Sequence, residues 1–320
     1  MAAAEMGNST NTSLGVNIFQ LVVCTPTFVL GLIINLVALW ILCFKVMKCT
    51  EPMIYMANLI ISDVFLLFSL PFKMDGLWNK DQWTLGGPFC KFVESLYFVN
   101  TYGSILLITF IAIDRYIALK QPFMARTCRS PRKAAIICIA LWTFVWSASI
   151  PNYFVNMDTN NCFIHFDEFW ERGVIPMTME AIFVICTVTM TFCSIQAIRT
   201  LRKSISAVDG NANRIIPVRI IFSNWIIYIL CFAPYHIAML LYFLLKQQLI
   251  SQDYLITLRS ILQICQCLSN INCCLDAIYY YLAIKEFMKP KLKSTEETCS
   301  THISQLPKCL YVLSAKLNRK

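Results

Sequence analysis

Charged residues are scarce in this sequence: they make up 14% of its 320 positions, whereas hydrophobic residues make up 58%. The mean hydropathy is +0.60. A soluble domain needs a surface of mixed charge, and this composition leaves too little of it. The composition therefore excludes an ordinary soluble globular protein and directs attention to long apolar segments.

Histidine is scarce as well, with His165, His236 and His302 scattered along the chain. Catalysis inside a bilayer requires a nucleophile with its base, or a set of metal ligands, and no such set accompanies these residues. We therefore predict that the protein is not an enzyme. A small transporter or channel is the rival class, although the sequence lacks the inverted repeats and broken helices that are typical of transporters.

The N-terminal stretch "MAAAEMGNSTNTSLG" lacks the apolar core of a cleavable signal peptide. We expect the first apolar segment to act as an uncleaved signal anchor instead. Asn8 and Asn11 each begin an Asn-X-Ser/Thr sequon. These features predict a glycosylated extracellular segment at 1–16.

Seven apolar segments follow, each long enough to cross a bilayer, near 17–44, 53–78, 91–119, 134–154, 174–198, 219–245 and 256–283. Positive charge is concentrated on one side: 21 of the 27 Lys and Arg fall in 45–52, 114–133, 199–219 and 285–320. This asymmetry places those segments inside the cell and the N-terminus outside. The net charge of +9 is thus a topology signal, and we expect no nucleic-acid partner. The sequence predicts an all-α membrane protein with a seven-transmembrane helix bundle over 17–284.

The C-terminal segment 285–320 is predicted to be cytoplasmic. Its start, "IKEFMKPKLKS", repeats apolar residues at helical spacing beside lysines, which indicates a short amphipathic eighth helix on the inner leaflet. Cys299 and Cys309 lie in the basic tail and are candidates for palmitoylation. Most of the other cysteines lie inside apolar segments, where cysteine behaves as a small apolar residue.

Two cysteines differ from the rest. Cys90 lies at the outer start of the third segment, and Cys162 lies in the polar outer loop "MDTNNCFIHFDEF". The outside of the cell is oxidising, so we predict a disulfide between them. It would hold the long loop across the mouth of the bundle.

Polar residues inside the apolar segments are costly in a membrane and mark functional interiors. Those expected at similar depth are Asn35, Asp63, Ser104, Asn270, Asn272 and Asp276. They indicate either a hydrogen-bond network that holds the helices together or a hydrated pocket for a cation. A second polar group, Asp114-Arg115-Tyr116, lies where the third segment reaches the inner leaflet and is by itself compatible with a simple interfacial anchor.

These residues together resemble the rhodopsin-like (class A) G-protein-coupled receptors over nearly the whole chain. The matching positions are Asn35, "NLxxxD" at 58–63, "DRY" at 114–116, Trp142, Pro234 within "CFAP", "DAIYY" at 276–280, and the Cys90–Cys162 pair. The resemblance implies that an outer agonist shifts the inner helix ends and admits a G-protein α subunit. It also implies an activation switch at Asp114, Arg115, Tyr116, Phe232, Pro234 and Tyr280. A sodium-linked relay at Asn35, Asp63, Ser104, Asn272 and Asp276, with an allosteric Na⁺ at Asp63 and no other cofactor, is implied as well.

Four positions depart from the family pattern. Ala277 replaces a proline, so we expect the seventh helix to bend less. Phe232 replaces a tryptophan, and the middle of the fifth helix around Cys186 and Thr187 lacks a proline. Arg214 replaces an acid that would restrain Arg115, from which we expect some basal activity.

Within the family, "SLPFKM" at 69–74, "SPRK" at 130–133, "LSNINCCLD" at 268–276 and "IKEF" at 284–287 look most like the lysophosphatidylinositol receptors, with the kynurenic-acid receptors as near relatives. This resemblance implies a lysophosphatidylinositol-like lysophospholipid ligand, G proteins of the 12/13 or q class, signalling to Rho and calcium, and arrestin and receptor-kinase partners at the plasma membrane. A small carboxylate or nucleotide is the alternative ligand. Retinal is excluded because 256–283 contains no lysine.

Lys73 is the predicted anion contact, and its alternative role is to reach outward to lipid phosphates. The other residues predicted at the ligand site are Glu94, Tyr97, Phe98, Thr101, His236, Met239, Arg259 and Gln266, with Arg172 as a second-rank contact. Glu94 either pairs with Lys73 or repels an anion, and the sequence leaves both open.

Overall fold

The computed structural model describes residues 2–44, 50–79, 83–121, 123–125, 129–154, 162–163, 173–206 and 215–279, with side chains from Leu14 onward except at 152, 204–206 and 215–217. Several predictions fall outside the described residues. These are the eighth helix, the palmitoylated cysteines Cys299 and Cys309, the side chains of Asn8 and Asn11, and the roles of Arg172, Arg214 and Tyr280.

Seven helices form the described bundle: α1 (Ala2–Phe44), α2 (Glu51–Trp78), α3 (Gly87–Lys120), α4 (Pro131–Ser149), α5 (Val174–Ser206), α6 (Ile215–Lys246) and α7 (Leu255–Ser269). Short 3₁₀ turns, Ile150–Phe154 and Gln252–Tyr254, follow α4 and precede α7. Among the described residues, α1, α2, α3, α5 and α6 each carry a stretch long and apolar enough to cross a membrane, and a sixth such stretch runs from Gln252 through α7 to Tyr279. α4 packs against α2 and α3. The backbone of α1 begins at Ala2, ahead of the predicted apolar span.

α3 lies at the centre of the bundle. Within its most apolar stretch 72% of residues are buried, against at most 56% in the other membrane-length helices. The peripheral helices turn large apolar side chains outward, as at Val22, Ile139 and Leu230, each about two-thirds exposed. Such a surface is unfavourable in water and suits lipid, so the bundle is built for a bilayer.

The contact between α1, α2 and α7 depends on a glycine. A Cβ added at Gly31 would lie 2.8 Å from Leu67 Cδ2 and 3.2 Å from Cys273 Sγ. A side chain at this position would force Leu67 or Cys273 to shift, so glycine favours the close approach of α1 to α2 and to the segment 272–279. A second anchor joins α4 to α2, where Trp142 Nε1 donates a hydrogen bond of 2.8 Å to Asn58 Oδ1.

The seventh helix is interrupted without a proline. α7 ends at Ser269, and helical backbone resumes at Asn272 after a turn at 270–271. Around the turn the amides of Asn270, Ile271 and Cys273 bond to carbonyls three residues back, which is the tighter 3₁₀ pattern. The Asn270 amide group leaves the helix and donates to the Tyr97 hydroxyl at 3.0 Å. This interruption lies before Ala277, and the expectation that Ala277 reduces the bending of the helix stays a prediction.

Candidate functional site

At the outer mouth of the bundle, a disulfide holds the two described residues of the outer loop, Cys162 and Phe163, in place. Cys90 and Cys162 are bonded, with their Cα atoms 5.7 Å apart, as the sequence predicted. The next residue, Phe163, has a φ of 68°, a left-handed conformation that non-glycine residues rarely adopt. Its amide donates to Glu94 Oε1 at 2.9 Å, and its ring meets Tyr97 edge-on at 5.8 Å. The loop thus places an aromatic ring inside the mouth.

Lys73 lies beneath this ring and points into the bundle. The residue is 3% exposed, so it does not reach outward to lipid phosphates. Its Nζ lies 4.7 Å from the centre of the Tyr97 ring and 5.8 Å from that of Phe163. Among the described residues no carboxylate lies within 4.0 Å of Nζ, and Glu94 is not its partner. The ammonium is therefore buried with aromatic faces as its described neighbours.

The other predicted ligand residues occupy several levels of the bundle. Phe98 packs against Tyr102 at 4.8 Å, while the Thr101 hydroxyl bonds back to the Tyr97 carbonyl at 3.1 Å. Met239 is fully buried, and Arg259 and Gln266 are half-buried on α7. Lys73, Glu94 and Tyr97 meet under the loop, whereas Phe98 faces a deeper cluster that includes His236.

His236 belongs to a polar cluster between α3, α5 and α6. Its Nδ1 lies 3.3 Å from Glu180 Oε1, and its ring stacks on Phe183 at 3.8 Å with planes 2° apart. Tyr102 meets the same ring edge-on at 5.9 Å. The sequence analysis missed Glu180, Phe183 and Tyr102. Glu180 carried a usable signal, because it is the one acidic residue in the apolar segment 174–198.

The predicted relay residues lie in the middle of the bundle. Asp63 Oδ1 accepts a hydrogen bond from Asn100 at 3.5 Å, and Asn100 also donates to the Ser62 carbonyl at 3.0 Å. The Ser62 and Ser104 hydroxyls are 3.3 Å apart. On the facing side Asn272 donates to Asp276. Asn100 was missed because an asparagine in α3 gives no sign of which helix it faces.

Three oxygen atoms in this relay have no partner in the part of the chain that the structure describes: Asn35 Oδ1, Asp63 Oδ2 and Asn272 Oδ1. All three are buried, and buried polar atoms are normally hydrogen-bonded or bound to an ion or water. The Asn35 amide nitrogen is already used, since it donates to the Gly31 and Cys273 carbonyls. A set of carboxylate and amide oxygens is the donor chemistry of a hard cation. The residues present therefore fit a sodium ion.

At the inner end, Asp114 forms an ion pair that the sequence analysis did not identify. Arg129, just before α4, forms a bidentate ion pair with Asp114, in which Nε donates to Oδ1 at 2.7 Å and Nη2 donates to Oδ2 at 3.1 Å. The same Nη2 lies 3.3 Å from Glu51 Oε2 at the start of α2. Partial burial lowers the pKa of Arg129, but Asp114 and Glu51 outweigh that effect and hold the pKa above its usual value. We call these three residues the inner clamp.

A recess opens beside the inner clamp, between the inner ends of α3, α5 and α6 and the segment 272–279. Its lining residues are Ile111, Ala112, Arg115, Ser194, Ala197, Ile221, Asn224 and Tyr279. Tyr116 faces away from it and packs against Phe192 at 5.8 Å. Higher in α6, Phe232 is buried against Tyr228 at 5.4 Å, and Pro234 lies inside the helix.

Comparison with known proteins identifies the architecture. A family model described as 7 transmembrane receptor (rhodopsin family) matches residues 34–280. The chain belongs to the rhodopsin family of seven-transmembrane receptors. This receptor is 33% identical to human lysophosphatidic acid receptor 4 over 83% of its length and 75% of the relative's. It is 33% identical to mouse G-protein coupled receptor 35 over 93% and 95% of the two chains, and 36% identical to mouse G-protein coupled receptor 55 over 84% and 86%.

Membership in this family confirms several expectations. The receptor is a multi-pass membrane protein related to lysophospholipid receptors, and it is not an enzyme. Its partners are a G protein and an extracellular ligand. The inner recess lies on the side where the positive charge is concentrated, which is the side of a G protein.

Proposed function

We propose that the receptor binds an anionic lysophospholipid of the lysophosphatidylinositol type and activates a G protein in response. The observation that carries this proposal is the buried ammonium of Lys73, which has no carboxylate within 4.0 Å in the described part of the chain. Burying an unpaired charge costs several kcal/mol, whereas contact with aromatic faces returns about 0.5–2 kcal/mol. An anionic ligand head would supply an opposite charge that the described residues do not place beside this ammonium.

The surroundings of Lys73 favour a lipid over a small anion. The neighbouring buried cluster is apolar and consists of Leu66, Leu67, Leu70, Tyr97 and four cysteines, with Phe163 and Met74 packed against it. Two relatives found by comparison, lysophosphatidic acid receptors 4 and 6, carry a lysophospholipid in their names. A phosphate with one acyl chain combines the anion that Lys73 requires with the apolar area that this cluster offers.

The test is a G-protein dissociation assay on the full-length receptor in cells. Its panel contains lysophosphatidylinositol, lysophosphatidic acid, a nucleotide and a small aromatic carboxylate. We expect a lysophospholipid to activate, and Lys73→Ala to raise its half-maximal concentration at least about tenfold, since removing a charged hydrogen-bond partner costs about 1.5–3 kcal/mol. Lys246→Ala removes a cation at the outer end of α6 and is the matched control.

The outcomes separate the parts of the proposal. Activation by the nucleotide or the carboxylate alone would show that the ligand class is wrong. An unchanged response of Lys73→Ala to the activating lipid would show that Lys73 is not its contact. The same assay with a set of α subunits tests our proposal that coupling is to the 12/13 or q class, leading to Rho and calcium. Arrestin and receptor-kinase partners, a plasma-membrane location and an outer N-terminus complete the proposal and are based on family resemblance.

We further propose that a sodium ion binds the relay. The support is the donor set of Asp63, Asn35 and Asn272, each with a buried oxygen that lacks a described partner. The Asn100 hydrogen bond of 3.5 Å leaves the Asp63 carboxylate only weakly held, so it remains available to an ion. Such an ion would bias the equilibrium between the two receptor states by binding one of them better.

A further inference from the structure

The cluster between α3, α5 and α6 contains more polar groups than a packed core requires. His236 is 1% exposed and Tyr102 is 2% exposed, so both lie away from lipid and water. Glu180, on α5, is the partner of the imidazole at Nδ1, 3.3 Å away. Phe183 covers one face of the imidazole at 3.8 Å. The ring is therefore held in one orientation from three sides.

Two atoms of this cluster lack a hydrogen-bond partner among the described residues: His236 Nε2 and the Tyr102 hydroxyl. An ionised Glu180 carboxylate can only accept, so Nδ1 carries a proton toward it, and in the neutral imidazole Nε2 is then a bare acceptor. Leaving such a group buried and unpaired costs about 1–3 kcal/mol. The same argument applies to the phenol, which can donate as well as accept.

We propose that His236 and Tyr102 form a subsite for a hydroxyl group of the ligand. A hydroxyl can donate to Nε2 and accept from the phenol, so one such group has the chemistry to satisfy both atoms, whose rings meet edge-on with centres 5.9 Å apart. An acyl chain would leave both unpaired, and a second anion would meet the acid of Glu180. Glu180 is then a positioning residue, because it acts by fixing the tautomer and orientation of His236.

This subsite deepens the proposed function and rests on it. Lys73 contacts Tyr97, and His236 contacts Tyr102. Five residues separate the two tyrosines on α3, which corresponds to about 7.5 Å along the helix axis. The ligand class that fits both ends carries an anionic group beside Lys73 and a hydroxyl one to two turns deeper. A lysophospholipid with a polyol head meets this requirement, because its head group carries hydroxyls beyond the phosphate.

The experiment uses the purified full-length receptor and measures competition binding with matched pairs of anionic probes. The pairs are lysophosphatidylinositol with lysophosphatidylethanol, which has the same phosphodiester charge and no head-group hydroxyl, a ribonucleotide with its dideoxy form, and a hydroxycarboxylate with its deoxy form. We expect the hydroxylated member to bind more tightly. Tyr102→Phe and His236→Ala should each weaken binding of the hydroxylated probe about tenfold, because each removes one buried hydrogen bond. Neither substitution should change binding of the other probe in the pair. Tyr55→Phe is the control, because it removes the hydroxyl of another buried tyrosine, which lies on α2.

Glu180 is tested by a rescue. Glu180→Gln keeps an acceptor for Nδ1 and should retain the preference for the hydroxylated probe, whereas Glu180→Ala should lose this preference. If Glu180 had a merely structural role, the two substitutions would not differ in this way. The proposal is overturned if the parent shows no such preference, or if the preference survives both Tyr102→Phe and His236→Ala. Dependence on Lys73 without a hydroxyl preference would refute this inference alone. If no probe binds the parent, the anionic-ligand proposal fails with it.

Discussion

The inner clamp allows a quantitative prediction. Arg129→Ala removes the two-pronged bond to Asp114 and the contact to Glu51 in one step. The side chains of these residues are 25%, 7% and 17% exposed, so the ion pair lies between the surface and the buried limit. Surface ion pairs contribute up to about 1 kcal/mol, and breaking a buried one costs about 3–5 kcal/mol. We therefore expect a loss of about 2 kcal/mol in the free energy of unfolding.

The assay is thermal unfolding of the purified receptor in detergent, arranged as a double-mutant cycle with Arg129→Ala, Asp114→Asn and the double variant. A loss of about 2 kcal/mol corresponds to a melting temperature lower by roughly 4–8 °C. Because both single variants remove the same interaction, the double variant should be little worse than either. Arg132→Ala deletes an exposed arginine three residues away and should have little effect. A coupling below about 0.5 kcal/mol, which is the range of independent sites, would refute the clamp.

Two further predictions concern the middle of the bundle. Gly31→Ala should lower the free energy of unfolding by about 1–3 kcal/mol, because its Cβ would meet Leu67 Cδ2 at 2.8 Å. The control is Gly76→Ala, whose Cβ would have no atom within 4 Å and which should be neutral or slightly stabilising in the same melting assay. Sodium chloride, compared with the chloride of a large organic cation, should stabilise the parent and not Asp63→Asn; equal stabilisation of both would exclude the proposed ion at Asp63.

The helices, their order and the disulfide could be predicted from the sequence. Long apolar segments leave few alternatives to membrane helices, and cysteines in loops outside the cell meet an oxidising environment. The side-chain contacts between different helices could not be predicted. Arg129 lies fifteen residues from Asp114 and seventy-eight from Glu51, and the pair forms only once the inner loop folds back on α2 and α3. Asn100 was missed for a related reason: hydropathy fixes that α3 crosses the membrane and leaves its rotation about its own axis undetermined. At the turn that follows α7, the side chain of Asn270 bonds to Tyr97, which is likewise a contact between distant segments.

The position of Phe163 bears on how fast the receptor can respond. Its ring centre lies 5.8 Å from Lys73 Nζ. The neighbouring disulfide and the hydrogen bond from the Phe163 backbone amide to Glu94 hold the residue there. On the proposed function, a ligand that approaches Lys73 from the side of this ring meets Phe163 first. Displacement of a held loop slows association more than it weakens the final complex. On the proposed function, Phe163 would therefore affect the rate of ligand binding, and Lys73 the choice of ligand.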